Sequence, residues 1–315
     1  MILGIEIGGT KLQFGVGDHQ AADAPLVALE RCSIRREEGA EGILRQMQTL
    51  APQLIEKYQI TALGIGFGGP VDLQKRSTIT SHQVQGWDQF PLGEWCQEHL
   101  GLLPELGNDC NVAALAEATL GAGRGVRRLF YVTIGTGIGG GLVIDGQIDG
   151  QGRPAIAEIG HLRPGLEAAE AGCTVESFAS GLGMETRTGQ LLSESSVSAS
   201  KEVAELQCLQ AESQLSAKNI ASLALAGNDL AAGILDQAAQ NLGWAIAQVV
   251  TIVAPERIVI GGGVALIGEP LFSRLRSHVQ QYVFPPLADS VSLLPAELGE
   301  ETVVHGAIQL ARGGQ

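Results

Sequence analysis

The sequence predicts an α/β protein built from two similar lobes with a cleft between them. Three observations carry that prediction. A chain of 315 residues is long for one hydrophobic core and suits two. Its 43 glycines gather in short runs that directly follow apolar segments, as tight turns at the ends of strands do. And an order of strand, glycine turn, strand, helix, strand occurs twice along the chain, which reads as a duplicated lobe.

The first copy opens with apolar Ile2 to Ile7, continues through Gly8-Gly9-Thr10-Lys11, and returns in Leu12 to Val16. Residues 26–34 add a third strand, EGILRQMQTLAPQLIEKY has helical periodicity, and ALGIGF is a buried strand ending at Gly68-Gly69-Pro70. A helix follows in NVAALAEATLGAG. The second copy then sets LFYVTI as a strand, GTGIGGG as a glycine turn and LVIDGQI as the returning strand. NLGWAIAQVVTIVA is an apolar helix, and RIVI is a strand that stops at Gly261-Gly262-Gly263. Between the second hairpin and the last helices, residues 151–225 hold helices and a surface loop around LLSESSVSASKEVAE, and VVHGAIQLAR is a closing helix. On this reading the first lobe spans 1–117 and is closed by 303–315, while the second spans 118–302.

Charge and composition exclude several classes. The formal charge is -14 and no Lys/Arg cluster exists to replace condensed counterions, which argues against a nucleic-acid partner. No apolar run of about 18 residues is present to cross a membrane. The start MILGIEIGG lacks the basic flank and cleavage site of a secretory signal, so the expected location is the cytoplasm. Cys32, Cys96, Cys110, Cys173 and Cys208 are odd in number and never paired as C-x-x-C, which predicts reduced thiols without a disulfide framework.

Residues 135–140 match G-x-G-x-x-G, the spacing of a dinucleotide loop. That loop needs a helix to start within the glycines, whereas Gly-Leu-Val-Ile-Asp-Gly follows here, a β-type run. No G-x-x-x-x-G-K-[ST] occurs either. Glycine and threonine hairpins can still hold phosphate, because backbone N–H groups approach the oxygens closely and a hydroxyl adds a donor. Gly8, Gly9, Thr10 and Lys11 form one such hairpin; Thr133, Gly135, Thr136 and Gly137 form the other. With Gly261, Gly262 and Gly263 they make a candidate site for a triphosphate. Lys11 can neutralise phosphate charge, and Glu6 can organise Mg²⁺ through a bound water. Asn108-Asp109 precedes an apolar helix: a carboxylate there is either a base for a hydroxyl proton or a plain helix N-cap.

EIGGTK, GGPVD, NDCNVAALAE, TIGTGIGGGLV, EIGH and IVIGGG, in this order and spacing from the first strand to the last helix, resemble the ROK family of repressors and sugar kinases. The resemblance implies the actin-like ATPase fold and transfer of a phosphoryl group from ATP to a hexose hydroxyl, most simply glucose to glucose 6-phosphate, in a homo-oligomer such as a dimer. It places Asp109 as general base and Gly68, Gly69, Asn108, Asp109, Glu158, His161 and Glu176 on the sugar. Fructose, mannose, allose or an N-acetylhexosamine are alternative acceptors.

The chain also departs from the family pattern. Many members carry three cysteines between the His and the last Glu that bind zinc; the matching positions here hold Glu167, Ala169 and Thr174, with Cys173 beside one of them. One thiol with His161 cannot complete four-ligand coordination, so no structural zinc is expected. Glu6 stands where Asp is usual, and SHQVQGWDQFPL carries Ser81-His82 and Gln85 in a loop where asparagine is frequent. The family's repressors place a helix-turn-helix ahead of the first strand, and Ile2 leaves no room for one. A non-catalytic sugar-binding regulator is the contrasting reading.

Overall fold

A computed structural model describes residues 1–18, 25–81, 83–150, 153, 155–193 and 200–313. His82 and the residues 194–199 of the expected surface loop lie outside the described residues.

In chain order, β1 (Ile2–Ile7), β2 (Lys11–Gly17) and β3 (Ala28–Ser33) form antiparallel pairs. Helix α1 (Gly39–Tyr58) leads to β4 (Ala62–Phe67), followed by the short β5 (Val71–Asp72) and β6 (Ser77–Thr78). Then come α2 (Leu92–Leu100), β7 (Pro104–Asn108) and α3 (Asp109–Thr119). A second series begins with β8 (Arg128–Ile134), β9 (Ile138–Ile144) and β10 (Gln147–Ile148). It continues through α4 (Val175–Ala179), α5 (Gly181–Ser193), α6 (Lys201–Ala211), α7 (Ala217–Leu225) and α8 (Asp229–Val253). The chain ends with β11 (Arg257–Gly261), α9 (Glu269–Tyr282), β12 (Ser292–Pro295) and α10 (Thr302–Gly313).

The two large sheets have the same topology. One runs β3-β2-β1-β4-β7 and the other β10-β9-β8-β11-β12. Counted within its own series, each has the order 3-2-1-4-5, which is the duplication expected from the recurring order of elements. The two antiparallel strands come from hairpins, and the parallel partners arrive after helical crossovers, as chain connectivity requires.

By contact density the chain divides into two compact units. The first holds Met1–Tyr131, Gly141–Ile156 and Ala296–Gln315, and the second Val132–Gly140 and Ala157–Pro295. Residues 118–131, 141–156 and 296–302 thus pack with the first unit, whereas the sequence reading counts them with the second.

Within the first unit, β1 is buried along its whole length, because α10 packs against it, and its near-continuous apolar run reflects that cover. Phe67, Trp87 and Phe90 meet edge to face at 5.2 and 5.3 Å in the same core. In the second unit, α8 buries Leu235, Leu242, Ile246 and Val250 and packs against α9, which buries Leu271 and Leu275.

Several element boundaries differ from the sequence expectation. The glycine turn of GTGIGGG is confined to residues 135–137, and the chain is already back in β9 at Ile138. The remaining glycines serve packing: a Cβ on Gly141 would come within 2.7 Å of Cys110 O and Ala114 Cβ in α3. Helix α8 starts at Asp229, twelve residues before the apolar run at 241, where the Asn228 side chain accepts the Ala231 N–H at 2.9 Å. The apolar run marks only its better-buried half. Among the described residues no helix is long and apolar enough to cross a membrane.

Candidate active site

In the first unit, the C-terminal ends of β1, β4 and β7 bring one set of polar groups together. Glu6 lies in β1 and is 7% exposed. Across the antiparallel ladder it faces Gln13, whose Nε2 donates to Glu6 Oε2 at 2.6 Å. Lys11 Nζ is 3.7 Å from Glu6 Oε1 and donates to the Glu300 carbonyl at 3.1 Å. Burial pushes the Glu6 carboxyl up to about 7, against the opposing pull of Lys11 and the Gln13 hydrogen bond, and the negative charge of Asp109 adds to the rise.

The β1–β2 turn closes on Gly8, whose N–H donates to Lys11 O at 3.1 Å, and leaves Thr10 exposed. Arg36 Nε donates to Gly9 O at 2.9 Å, and the Gln83 side chain lies directly over the Gly9 Cα. The end of β4 joins the same place: Gly68 N–H donates to Ile7 O at 2.8 Å.

Asn108 ends β7 and is the N-cap of α3. Its Oδ1 accepts the N–H groups of Cys110 at 3.0 Å and Asn111 at 3.3 Å, and its Nδ2 donates to Gly69 O at 3.1 Å. The capping role therefore falls on Asn108, while Asp109 is the first helical residue. Asp109 Oδ1 accepts the Cys110 N–H at 2.8 Å, and Oδ2 lies 3.6 Å from where a Cβ on Gly68 would stand. A side chain at 68 would stand in van der Waals contact with this carboxylate and with Gly8. A cavity of about 240 Å³ in the same unit reaches Asn108 but none of the other residues singled out from the sequence.

The second unit holds the other set. Gly135 N–H donates to Gly137 O at 2.9 Å, which closes the β8–β9 turn and leaves Thr136 exposed and Thr133 half-buried. Gly135 O accepts the Gly181 N–H at 2.8 Å, so the turn meets the start of α5. Gly261 ends β11. Gly262 has φ 88° and a Cβ there would stand 2.5 Å from Ile134 O, so only glycine fits both the backbone and the space. A Cβ on Gly135 or on Gly263 would meet nothing within 4 Å, so open space remains beside both loops.

Glu176, in the first turn of α4, accepts the Ile138 N–H on Oε2 at 2.7 Å. It is thereby tied to the same glycine turn. Glu158 precedes and His161 ends a 3-10 turn over Ile159–His161, with His161 N–H donating to Glu158 O at 3.1 Å, and both residues are exposed.

The model of the ROK family matches residues 2–313. The chain belongs to the ROK family. It is 29% identical to a glucokinase of Halalkalibacterium halodurans over 96% of this chain and 92% of that protein. It is also 29% identical to an N-acetylgalactosamine kinase of a Shewanella species, over 99% of this chain and 97% of that protein. A ROK family glucokinase from Streptomyces griseus, solved with glucose and AMPPNP, superposes with a TM-score of 0.79 at 26% identity, covering 99% of each chain. The fold is the actin-like ATPase fold of the ROK sugar kinases.

As a ROK protein without the three cysteines, the chain closes the loop between His161 and Glu176 by hydrogen bonds. Val175 N–H donates to Leu162 O at 2.8 Å, Arg163 Nη1 to Ala169 O at 2.6 Å, and Cys173 N–H to Glu170 O at 3.0 Å. Thr174 and Ser177 complete a capping box at the head of α4. Among the described residues no group of three or more His, Cys, Asp or Glu could hold a metal ion. A single carboxylate such as Glu6 suits Mg²⁺ held mainly by phosphate oxygens and water. The sequence reading points to neither Gln13 nor Arg36, and to Gln83 only as part of the loop SHQVQGWDQFPL. Gln13 alone carries a signal there, a polar residue inside the apolar run of a strand.

Proposed function

We propose that the protein transfers the γ-phosphoryl group of ATP to a hydroxyl of a hexose, glucose in the first instance, with Asp109 as general base. The observation that carries this reading is the placement of Asp109. Its Oδ1 is held by a backbone N–H, its Oδ2 is beside the side-chain-free Gly68, and the carboxylate is close enough to Glu6 to raise that group. A carboxylate held in place in this way can accept a proton when a hydroxyl comes within hydrogen-bond reach. That proton leaves the acceptor oxygen as it bonds to phosphorus, and ADP takes the electron pair of the broken bond.

Gly68, Gly69 and Asn108 line the hexose site in this proposal, as do Glu158, His161 and Glu176. Glu176 has one oxygen spent on Ile138 and one left for a hydroxyl. Gly8, Gly9, Thr10, Lys11, Thr133, Gly135, Thr136, Gly137 and Gly261 to Gly263 receive the nucleotide, through backbone N–H groups and the Thr hydroxyls. Glu6 would help hold Mg²⁺ through water, and the ion would supply charge neutralisation on the phosphates. Phosphoryl transfer needs little from the protein beyond position and charge compensation, which is what this set of groups supplies.

Acceptor choice has a second reading with an observation behind it. Ser81 and Gln85 stand in the loop where the family often carries an asparagine, and an N-acetylgalactosamine kinase shares 29% identity with the chain, the same figure as the glucokinase. A coupled assay with ATP and Mg²⁺ over glucose, mannose, fructose, allose and the N-acetylhexosamines decides between them. Turnover of none of these would overturn the kinase reading and favour a sugar-binding regulator. Turnover confined to an N-acetylhexosamine would replace glucose as acceptor and leave the mechanism standing.

A further inference from the structure

Glu117 is a charged residue the proposed chemistry does not use, yet it is completely buried. It lies on α3, two turns after Asp109. Its Oε2 accepts the Ala122 N–H at 2.9 Å, and its Oε1 accepts the N–H groups of Glu297 at 3.1 Å and Leu298 at 3.0 Å. A carboxylate this deep is tolerated only when its oxygens are satisfied, and here they are satisfied by backbone of two separate segments.

The segment that Glu117 grips leads straight to the other polar groups of this unit. Two residues after Leu298, the Glu300 carbonyl accepts from Lys11 Nζ at 3.1 Å and from Gln13 Nε2 at 3.0 Å. Gln13 in turn holds Glu6. The Glu301 carboxylate takes Arg31 Nη2 at 2.7 Å, and Arg31 Nε donates to Gln13 Oε1 at 3.0 Å. Residues 297–301 thus form a strap. At one end it hangs on the helix that presents Asp109, and at the other it sets the side chains that flank Glu6.

We propose that Glu117 is a positioning residue: by gripping the strap it fixes the distance between Asp109 and the Lys11–Gln13–Glu6 group. This rests on the kinase reading above. Small misplacement of reacting groups is expensive, and a shift of about 1 Å can cost 10²-fold in rate. Glu117→Gln turns one acceptor into an NH₂ that must face backbone N–H donors, so the strap is released while the side-chain volume stays the same.

The test is steady-state kinetics of Glu117→Gln on the accepted hexose well below its melting temperature, together with amide hydrogen exchange across 296–301. The expected result is faster exchange at Glu297 and Leu298, with kcat lowered by about tenfold or more and the KM values for hexose and ATP moved far less. A merely structural role lowers the melting temperature and leaves kcat of the folded protein unchanged, and that result overturns the proposal. If this variant does not fold, Gly299→Ala strains the strap instead. Gly299 has φ 61° and a Cβ there would meet nothing within 4 Å. Faster exchange with unchanged kcat in that variant is equally fatal. An inert Asp109→Asn beside a fully active Glu117→Gln sinks only this inference, whereas an active Asp109→Asn sinks the kinase mechanism itself.

Discussion

At the scale of single residues, Asp109 and Asn108 divide two tasks that the sequence leaves on either of them. Asn108 caps the helix with its own oxygen, so replacing Asp109 does not remove the cap. Asp109→Asn should therefore fold and melt close to wild type while kcat falls by about 10² or more, because an amide does not accept a proton at neutral pH. Turnover within a few-fold of wild type at saturating ATP would end the base assignment. Glu6 gives a second expectation, in pH. Its carboxyl rises from 4.5 in the open chain to about 7 in the fold, mainly through burial. The folded state then binds the extra proton between those values, so this group's favourable contribution is fully present below 4.5 and is lost as pH rises through about 7. The penalty above pH 7 is of order 3 kcal/mol. Glu6→Gln should accordingly melt higher than wild type at pH 8, and the gap should shrink steadily toward pH 5. A gap that widens on acidification would contradict the burial account.

At the scale of elements, the first unit depends on unusually close backbone contact. A Cβ on Gly306 of α10 would overlap the Val112 carbonyl of α3, and one on Gly64 of β4 would overlap the Ala307 carbonyl of α10. At those points the missing Cβ lets the backbones of these elements approach each other directly. Gly306→Ala should push α3 and α10 apart and cost about 1–3 kcal/mol of stability, read as a lowered denaturation midpoint. Because α3 carries Asp109, activity should fall by more than the loss of folded protein accounts for. An alanine variant with wild-type stability would show that the helices can separate freely. The hairpins follow another logic: the first glycine turn is held from outside by Arg36 and Gln83, and the second by Gly181 of α5 and by Glu176.

For the molecule as a whole, metal content is the clearest expectation. Positions 167, 169 and 174 lack thiols, Cys173 has no second sulfur partner in sequence reach, and the loop they sit in is already closed by backbone and Arg163 hydrogen bonds. Elemental analysis of dialysed protein should find no stoichiometric zinc, and one zinc per chain would show that other residues have taken over as ligands. The acidic charge of -14 spreads over a fold whose two sheets repeat one topology. Duplication explains why two glycine turns of similar composition occur at equivalent places, each after the first strand of its series.

Much of this was legible in the order of residues. Strands β1 and β4 match Ile2–Ile7 and ALGIGF residue for residue, and β3, α1 and α10 fall within a few residues of their expected ends, because apolar periodicity and glycine stops are local properties of the chain. The motifs likewise mark Asp109, Lys11 and the glycine turns, since a turn that must admit no side chain leaves its signature in composition. What only the tertiary structure decided is partnership. Nothing local shows that Gln13 faces Glu6, that Arg36 reaches Gly9, or that Glu117 grips backbone 180 residues away. The reason is physical: periodicity reports which face of an element is buried, but the partner of a buried polar group is set by which distant segment packs there. Hence Glu117 reads in sequence as one more acidic residue on a helix, and only the fold reveals a carboxylate enclosed by backbone donors.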